Sequence, residues 1–181
     1  MESLHGHLLI ATPSLADPNF FRTVVLVGEH GEDGAMGLVL NRPAPATVAE
    51  AVPDLVSLPG DEEHLFLGGP VRPTVVLVLA EFIDPSDAGM LITDRVGFLS
   101  ADSDLDVLAQ SAVRARVFAG HAGWGAGQLE SEIERADWIV KTAQDRDVFD
   151  DEPGAMWGHV LERMGGRFAL LARIPTDPSV N

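Results

Sequence analysis

Hydrophobic positions along this chain fall in short runs, and their spacing changes from one end to the other. Leu8 to Ala11 is a brief apolar run stopped by Pro13, which reads as a short strand. TVVLVG, residues 23–28, is continuous and β-branched, and predicts a strand buried on both faces. The turn formers of EHGEDGA separate it from AMGLVLN, residues 35–41, so the two predict a hairpin with a longer loop, ended by Asn41-Arg42-Pro43. Further strands are expected at HLFLGGP (64–70), Thr74 to Ala80, Met90 to Asp94 and Val113 to Gly120.

Helical spacing enters later. Thr47 to Glu50 matches a capping box, and Pro53 keeps its helix short. Ser103 is the expected N-cap of a helix carrying Leu105, Leu108, Ala109 and Ala112 on one face. Leu129, Ile133, Ala136 and Val140 predict another, ending near Trp138. Met156, Trp157, Val160, Leu161 and Met164 predict the last, with Gly165 and Gly166 as its left-handed stop. RFALLARI, residues 167–174, reads as a closing strand or apolar extension, and the acidic stretch Asp145 to Glu152 as a solvated, mobile connector. Strands first and helices later suit an α+β fold better than a doubly wound sheet. No repeat or composition shift marks a second domain, so one domain is expected over residues 1–174, with a loose tail at 175–181.

Composition narrows the chemistry. With 46% hydrophobic and 22% charged residues the chain is globular, and at 181 residues it needs no covalent staples. The absence of cysteine removes disulfides, thiolate catalysis and sulfur-ligated zinc, and the absence of tyrosine removes phenolic acid–base chemistry. Against 28 acidic side chains stand 12 basic ones, a net charge of −16 that repels nucleic-acid phosphates and anionic membranes. The densest basic pair is Arg114 and Arg116, a weak footprint. Direct nucleic-acid binding is therefore not expected, and another protein is the expected partner. MESLHGHLLIATP has no basic n-region or long apolar stretch, and the longest apolar run, TVVLVLA, is too short to span a bilayer. A soluble cytoplasmic protein is the plain expectation.

The motif richest in glycine is GHAGWGAGQL, residues 120–129, between a strand-like and a helix-like run. Such turns can cradle phosphate. Here the spacing of Gly123, Gly125 and Gly127 does not fit a dinucleotide fingerprint, and Gln128-Leu129 stands where a P-loop needs lysine and a hydroxyl. Glu130, Glu132 and Glu134 would compete with an anion for the positive end of the following helix. The reading that follows is structural: glycines admit close backbone approach while Trp124 packs over them. The competing reading is a neutral-ligand or partner surface around His121, Trp124 and Gln128.

Other candidates are sparser. His5 and His7 share one strand face, and His64 follows Asp61, Glu62 and Glu63, but no third ligand has a suggestive spacing and no metal or cofactor is assigned. There is no G-x-S-x-G elbow and no S-x-x-K; a trio of Ser14, His30 and an aspartate has no support from spacing, so no catalytic residue is assigned.

LLIATPSLADPNFFRTVVLVGEHGEDGAMGLVLNRP, LGGPV and VFAGHAGWGAGQLESEIERADW, in that order and spacing, resemble the AlgH/YqgE family of small bacterial proteins. The resemblance runs from about Gly6 to Trp138 and more weakly through the last helix. It implies a mixed α+β fold with a bifurcated, barrel-like sheet flanked by a few helices. It also implies a label of transcriptional regulator linked to alginate production, without any activity, cofactor or catalytic set. Where the family usually has tyrosine after Gly120, this chain has His121, which keeps a hydrogen-bonding group and adds sensitivity to pH.

Two functions compete on this basis. One is a non-enzymatic regulatory or interaction protein that acts indirectly, through another protein. The other is an enzyme or ligand binder whose site forms where the motif loops converge: Ser14 and Asp17, Glu29 and His30, Asn41 and Arg42, Gly68 and Gly69, and Gly120, His121, Trp124 and Gln128.

Overall fold

The computed structural model describes residues 2–58, 64–100 and 102–175. In chain order the elements are β1 (His7–Ala11), β2 (Val24–Gly31), β3 (Gly34–Val39), β4 (Pro43–Thr47), α1 (Val48–Ala51), β5 (His64–Leu67), β6 (Val71–Phe82), β7 (Met90–Leu91), β8 (Val96–Phe98), α2 (Leu105–Ser111), β9 (Ala112–Gly125), α3 (Gln128–Glu134), β10 (Trp138–Thr142), α4 (Asp145–Val148), α5 (Met156–Met164) and α6 (Gly166–Leu171). The strands join one open sheet in the order β10-β1-β2-β3-β9-β6-β8-β7, with β4 and β5 branching from β9. The architecture is α+β and bifurcated, as expected, but the sheet does not close into a barrel.

The split lies within β9. Its first part pairs with β6 antiparallel and, at Phe118 and Ala119, with β5 in parallel. Its last four residues, Ala122 to Gly125, pair with β3 instead. On the β1-β2-β3 limb, alternate residues are buried on opposite faces. Leu8, Ile10, Val24, Leu26 and Leu38 join one core with residues of α4 and α5, while Leu9, Ala11, Val25, Val27 and Val39 join another with Leu129 of α3 and Trp138. That two-sided burial is why TVVLVG is a continuous apolar run. The other limb packs Val78, Ala80, Ala115 and Val117 against Val48 of α1 and Leu108 of α2.

Several expectations change. The hairpin loop between β2 and β3 is tight, with Gly31 opposite Gly34. The capping box forms as read, Thr47 Oγ1 accepting from Glu50 N at 3.2 Å and Glu50 Oε2 from Thr47 N at 2.9 Å. Its neighbour α2 is capped by Asp104 rather than Ser103, with Asp106 N donating to Oδ1 at 2.9 Å. The expected strand at 90–94 is only Met90–Leu91. Residues 120–125, expected as a glycine turn, continue strand β9 because β3 supplies a partner ladder. The helix after them ends early. Ala136 takes φ +61°, and Trp138 and Val140 belong to β10, so their helical spacing with Leu129 was coincidental. Residues 166–171 are helical, so Gly165 and Gly166, at φ +70° and +54°, separate two helices. Of the expected tail only Pro175 is described; 176–181 lie outside the described residues, as do Asp61, Glu62 and Glu63.

The largest correction is at Asp145 to Glu152. This stretch folds as α4 and its exit, with Asp147, Val148 and Phe149 buried. The fully buried Asp147 carboxylate accepts from Lys141 Nζ at 2.7 Å, Arg163 Nη2 at 3.0 Å and Gln144 N at 3.0 Å. It thereby joins β10, α4 and α5. Trp157 Nε1 donates to Ala11 O at 2.8 Å and ties α5 to β1.

A buried carboxylate with two cations is costly to break from one side, because the partners keep charges that have lost their counterion. Asp147→Ala should lower unfolding free energy by about 3 kcal/mol in a urea titration; a change within about 0.5 kcal/mol, typical of a surface site, contradicts this placement. Backbone crossings make a second prediction. A Cβ at Gly68 would sit 2.3 Å from Gly120 O, whereas one at Gly154 meets nothing within 4 Å. Gly68→Ala should cost about 3 kcal/mol or abolish soluble folding, while Gly154→Ala stays within about 0.5 kcal/mol. Equal midpoints for the two variants would refute the crossing.

Candidate functional site

The motif glycines meet at one point. Gly68 N donates to Ala119 O at 2.9 Å, and Val39 N donates to Gly68 O at 2.8 Å, so the LGGP segment is held between β9 and the end of β3. At Gly69, φ is +149° and a Cβ would lie 2.2 Å from the His121 carbonyl carbon. At Gly120, φ is +70° and a Cβ would lie 2.6 Å from Gly69 O. Two backbones therefore cross in contact where the sheet divides. His121 is half-buried opposite Val71, and its Nδ1–H donates to Ala122 O at 3.0 Å.

Beyond the crossing, β9 delivers Trp124 into an aromatic cluster. Its ring stacks on Phe20 at 6.1 Å and meets Trp138 edge-on at 6.1 Å. Both indole N–H groups donate to one oxygen, Glu132 Oε2, at 2.8 Å each. Gln128 Nε2 donates to the other Glu132 oxygen at 3.0 Å, and Gln128 Oε1 accepts from Gly125 N at 3.1 Å. The turn proper is Ala126-Gly127, with Gly127 at φ +71° before α3. Trp124 is anchored by an acid eight residues on. Glu132, expected only to oppose an anion, has an anchoring role that the sequence hides because Trp138 has helical spacing and yet lies on β10.

The His30 ring is almost fully enclosed, its side chain 4% exposed. Leu4 N donates to its Nδ1 at 3.0 Å, which fixes the Nε2–H tautomer, and Nε2 donates to Glu130 Oε1 at 3.0 Å. With both nitrogens engaged, no lone pair is left for general-base work. Glu130 is held below the usual carboxylate range by its own backbone amide and the His30 hydrogen bond, against an opposing effect of burial. His30, Glu29 and Trp124 line a cavity of about 600 Å³ with His5, Glu32 and Asp33.

The remaining candidates lie elsewhere. Buried Asn41 accepts from Val24 N at 2.9 Å through Oδ1 and donates to Arg22 O at 2.9 Å, holding Arg22 at φ +53°. Arg42 donates to Phe21 O, and its partial burial lowers its pKa. Ser14 Oγ bonds Thr12 Oγ1 at 2.9 Å, and Asp17 Oδ1 caps Asn19 N at 2.8 Å. Neither hydrogen-bonds His30, and Ser14, Asp17, Asn41, Arg42, Gly68, Gly69, Gly120, His121 and Gln128 do not line the His30 cavity. Among the described residues no group of three or more His, Asp or Glu is placed to hold a metal ion, and no helix is long and apolar enough to cross a membrane.

The AlgH-like family model (DUF179) matches residues 8–169. A UPF0301 protein of Streptomyces coelicolor is 39% identical over 189 residues, covering 100% of this chain and 97% of that one. A UPF0301 protein of Mycobacterium tuberculosis is 39% identical over 97% of this chain and 90% of its own length. Among solved structures, a Corynebacterium diphtheriae protein aligns with a TM-score of 0.85 at 28% identity, covering 96% of this chain and 94% of its own. The AlgH protein of Pseudomonas aeruginosa aligns at 0.70 with 31% identity, over 97% and 96%. The matched span and the identity over nearly the whole length of both chains lead to one conclusion: the chain belongs to the AlgH-like, UPF0301 family.

Proposed function

We propose that this chain is a non-enzymatic interaction protein of the cytoplasm, acting through another protein, and that any effect on transcription is indirect. The observation that carries this reading is where the positive charge goes. Arg114 Nε donates to Glu81 at 2.8 Å, and Lys141 and Arg163 serve Asp147. Arg135 pairs with Asp137 at 2.7 Å. Arg116, the other half of the densest basic pair, is 2% exposed, with its guanidinium 4.4 Å from the Phe66 ring centre. Phosphate binding needs cations free to displace counterions, and these five are engaged within a molecule of net charge −16. The motif residues support the same reading: Asn41, Gly68, Gly69, Gly120, Trp124 and Gln128 hold backbone or aromatic packing. A chain without cysteine suits a reducing cytoplasm.

The test joins a gel-shift to an affinity pull-down. At about 0.15 M salt the protein should form no complex with mixed-sequence duplex at about 100 μM, where weak non-specific binders already associate. A protein partner should be retained under the same conditions. A tight DNA complex whose affinity falls steeply with salt would overturn the indirect reading.

A further inference from the structure

An open sheet has edges, and an unprotected edge is a template for another strand. Among the described residues β4, β7 and β10 each pair on one side only. β4 carries Pro43 and Pro45, which remove hydrogen-bond donors, and β7 is two residues long. β10 has neither protection. Trp138 to Thr142 pair with β1 in unbroken register, from Ala11 opposite Trp138 to His7 opposite Thr142, with no proline, glycine or bulge. Its one charged residue, Lys141, is drawn to Asp147 on the face covered by α4 and α5.

The backbone directions follow from the flanking bonds. Thr12 N donates to Asp137 O and Ala143 N to Gly6 O, each at 3.0 Å. Alternation along an antiparallel ladder then aims Ile139 and Lys141 at β1. The N–H and C=O groups of Trp138, Val140 and Thr142 point away from the sheet.

We propose that this edge pairs with the same edge of a second copy, antiparallel about a two-fold axis at Val140. The strand is self-complementary in that register: Val140 meets Val140, Trp138 meets Thr142, and Ile139 meets Lys141, so the lysines are not opposed. The three outward residues exchange about six hydrogen bonds. This self-matching favours a second copy over an unrelated extended peptide. A five-residue edge covers little surface, so the dimer is weak and concentration-dependent. Because each copy carries −16, association tightens as salt screens the repulsion.

Sedimentation velocity from about 10 μM to about 1 mM, at about 0.1 M and about 1 M salt, tests this; between those salts the screening length falls from about 10 Å to about 3 Å. Dimerisation should rise with both variables. Thr142→Pro removes one outward donor from an exposed position and should weaken it about tenfold while leaving the melting temperature of the monomer unchanged. Amide exchange gives a readout independent of any variant. The Val140 and Thr142 amides should exchange fast in dilute protein and slow down on concentration, while Ile139 and Lys141 stay protected throughout. A monomer under all conditions, a dimer indifferent to Thr142→Pro with unchanged exchange at these two amides, or slow exchange there already in dilute protein would each overturn the proposal. A complex with another protein that protects the same amides while the chain stays monomeric would overturn it in favour of a heterologous strand.

Discussion

Contact between two backbones, LGGP against the middle of β9, is the constraint around which this molecule is arranged. β9 serves two limbs of the sheet in succession, and it can change partners only where another chain segment crosses it without side chains in the way. Gly68, Gly69 and Gly120 make that possible, two of them at positive φ and all three within a clash of facing main-chain atoms. Glycine is required on steric grounds alone, since an L side chain would meet carbonyl groups with nowhere to move. The hydrogen bonds that hold the crossing, Val39 to Gly68 and Gly68 to Ala119, couple β3, β5 and β9.

What lies beyond the crossing depends on it. Once β9 has switched to β3, Trp124 falls beside Phe20 and Trp138, and a single carboxylate, Glu132, satisfies both indoles. Indole N–H groups buried without partners would be costly, so Glu132 permits two tryptophans in one small core. On the opposite face of the same strands, Asp147 plays a comparable part for Lys141 and Arg163. Carboxylates of the short helices α3 and α4 thus tie neighbouring strands and helices together.

Much of this was legible in the residues, and the unread parts have physical reasons. Strands buried on both faces announced themselves as β-branched runs, and Thr47 to Glu50 specified its cap through purely local bonds. The place of the glycine motif in the crossing was hidden because the partner glycines lie some fifty residues earlier. Periodicity failed between Leu129 and Val140, where helical spacing was interrupted by Ala136 in the left-handed region. Composition failed at Asp145 to Glu152: acids normally signal solvent, and only the tertiary approach of Lys141 and Arg163 makes burial of Asp147 tolerable. Several of the candidate residues, Gly68, Gly69, Gly120 and Asn41 among them, hold the backbone of the crossing and of the Arg22 turn.

Native-state hydrogen exchange at the crossing tests this account most directly. If the crossing organises the sheet, the Gly68 and Val39 amides should exchange only through complete unfolding, with the same opening free energy as the central amides of β2. Opening of Gly68 and Val39 at markedly lower free energy, while β2 and β9 stay protected, would contradict the claim that the rest of the structure depends on this contact.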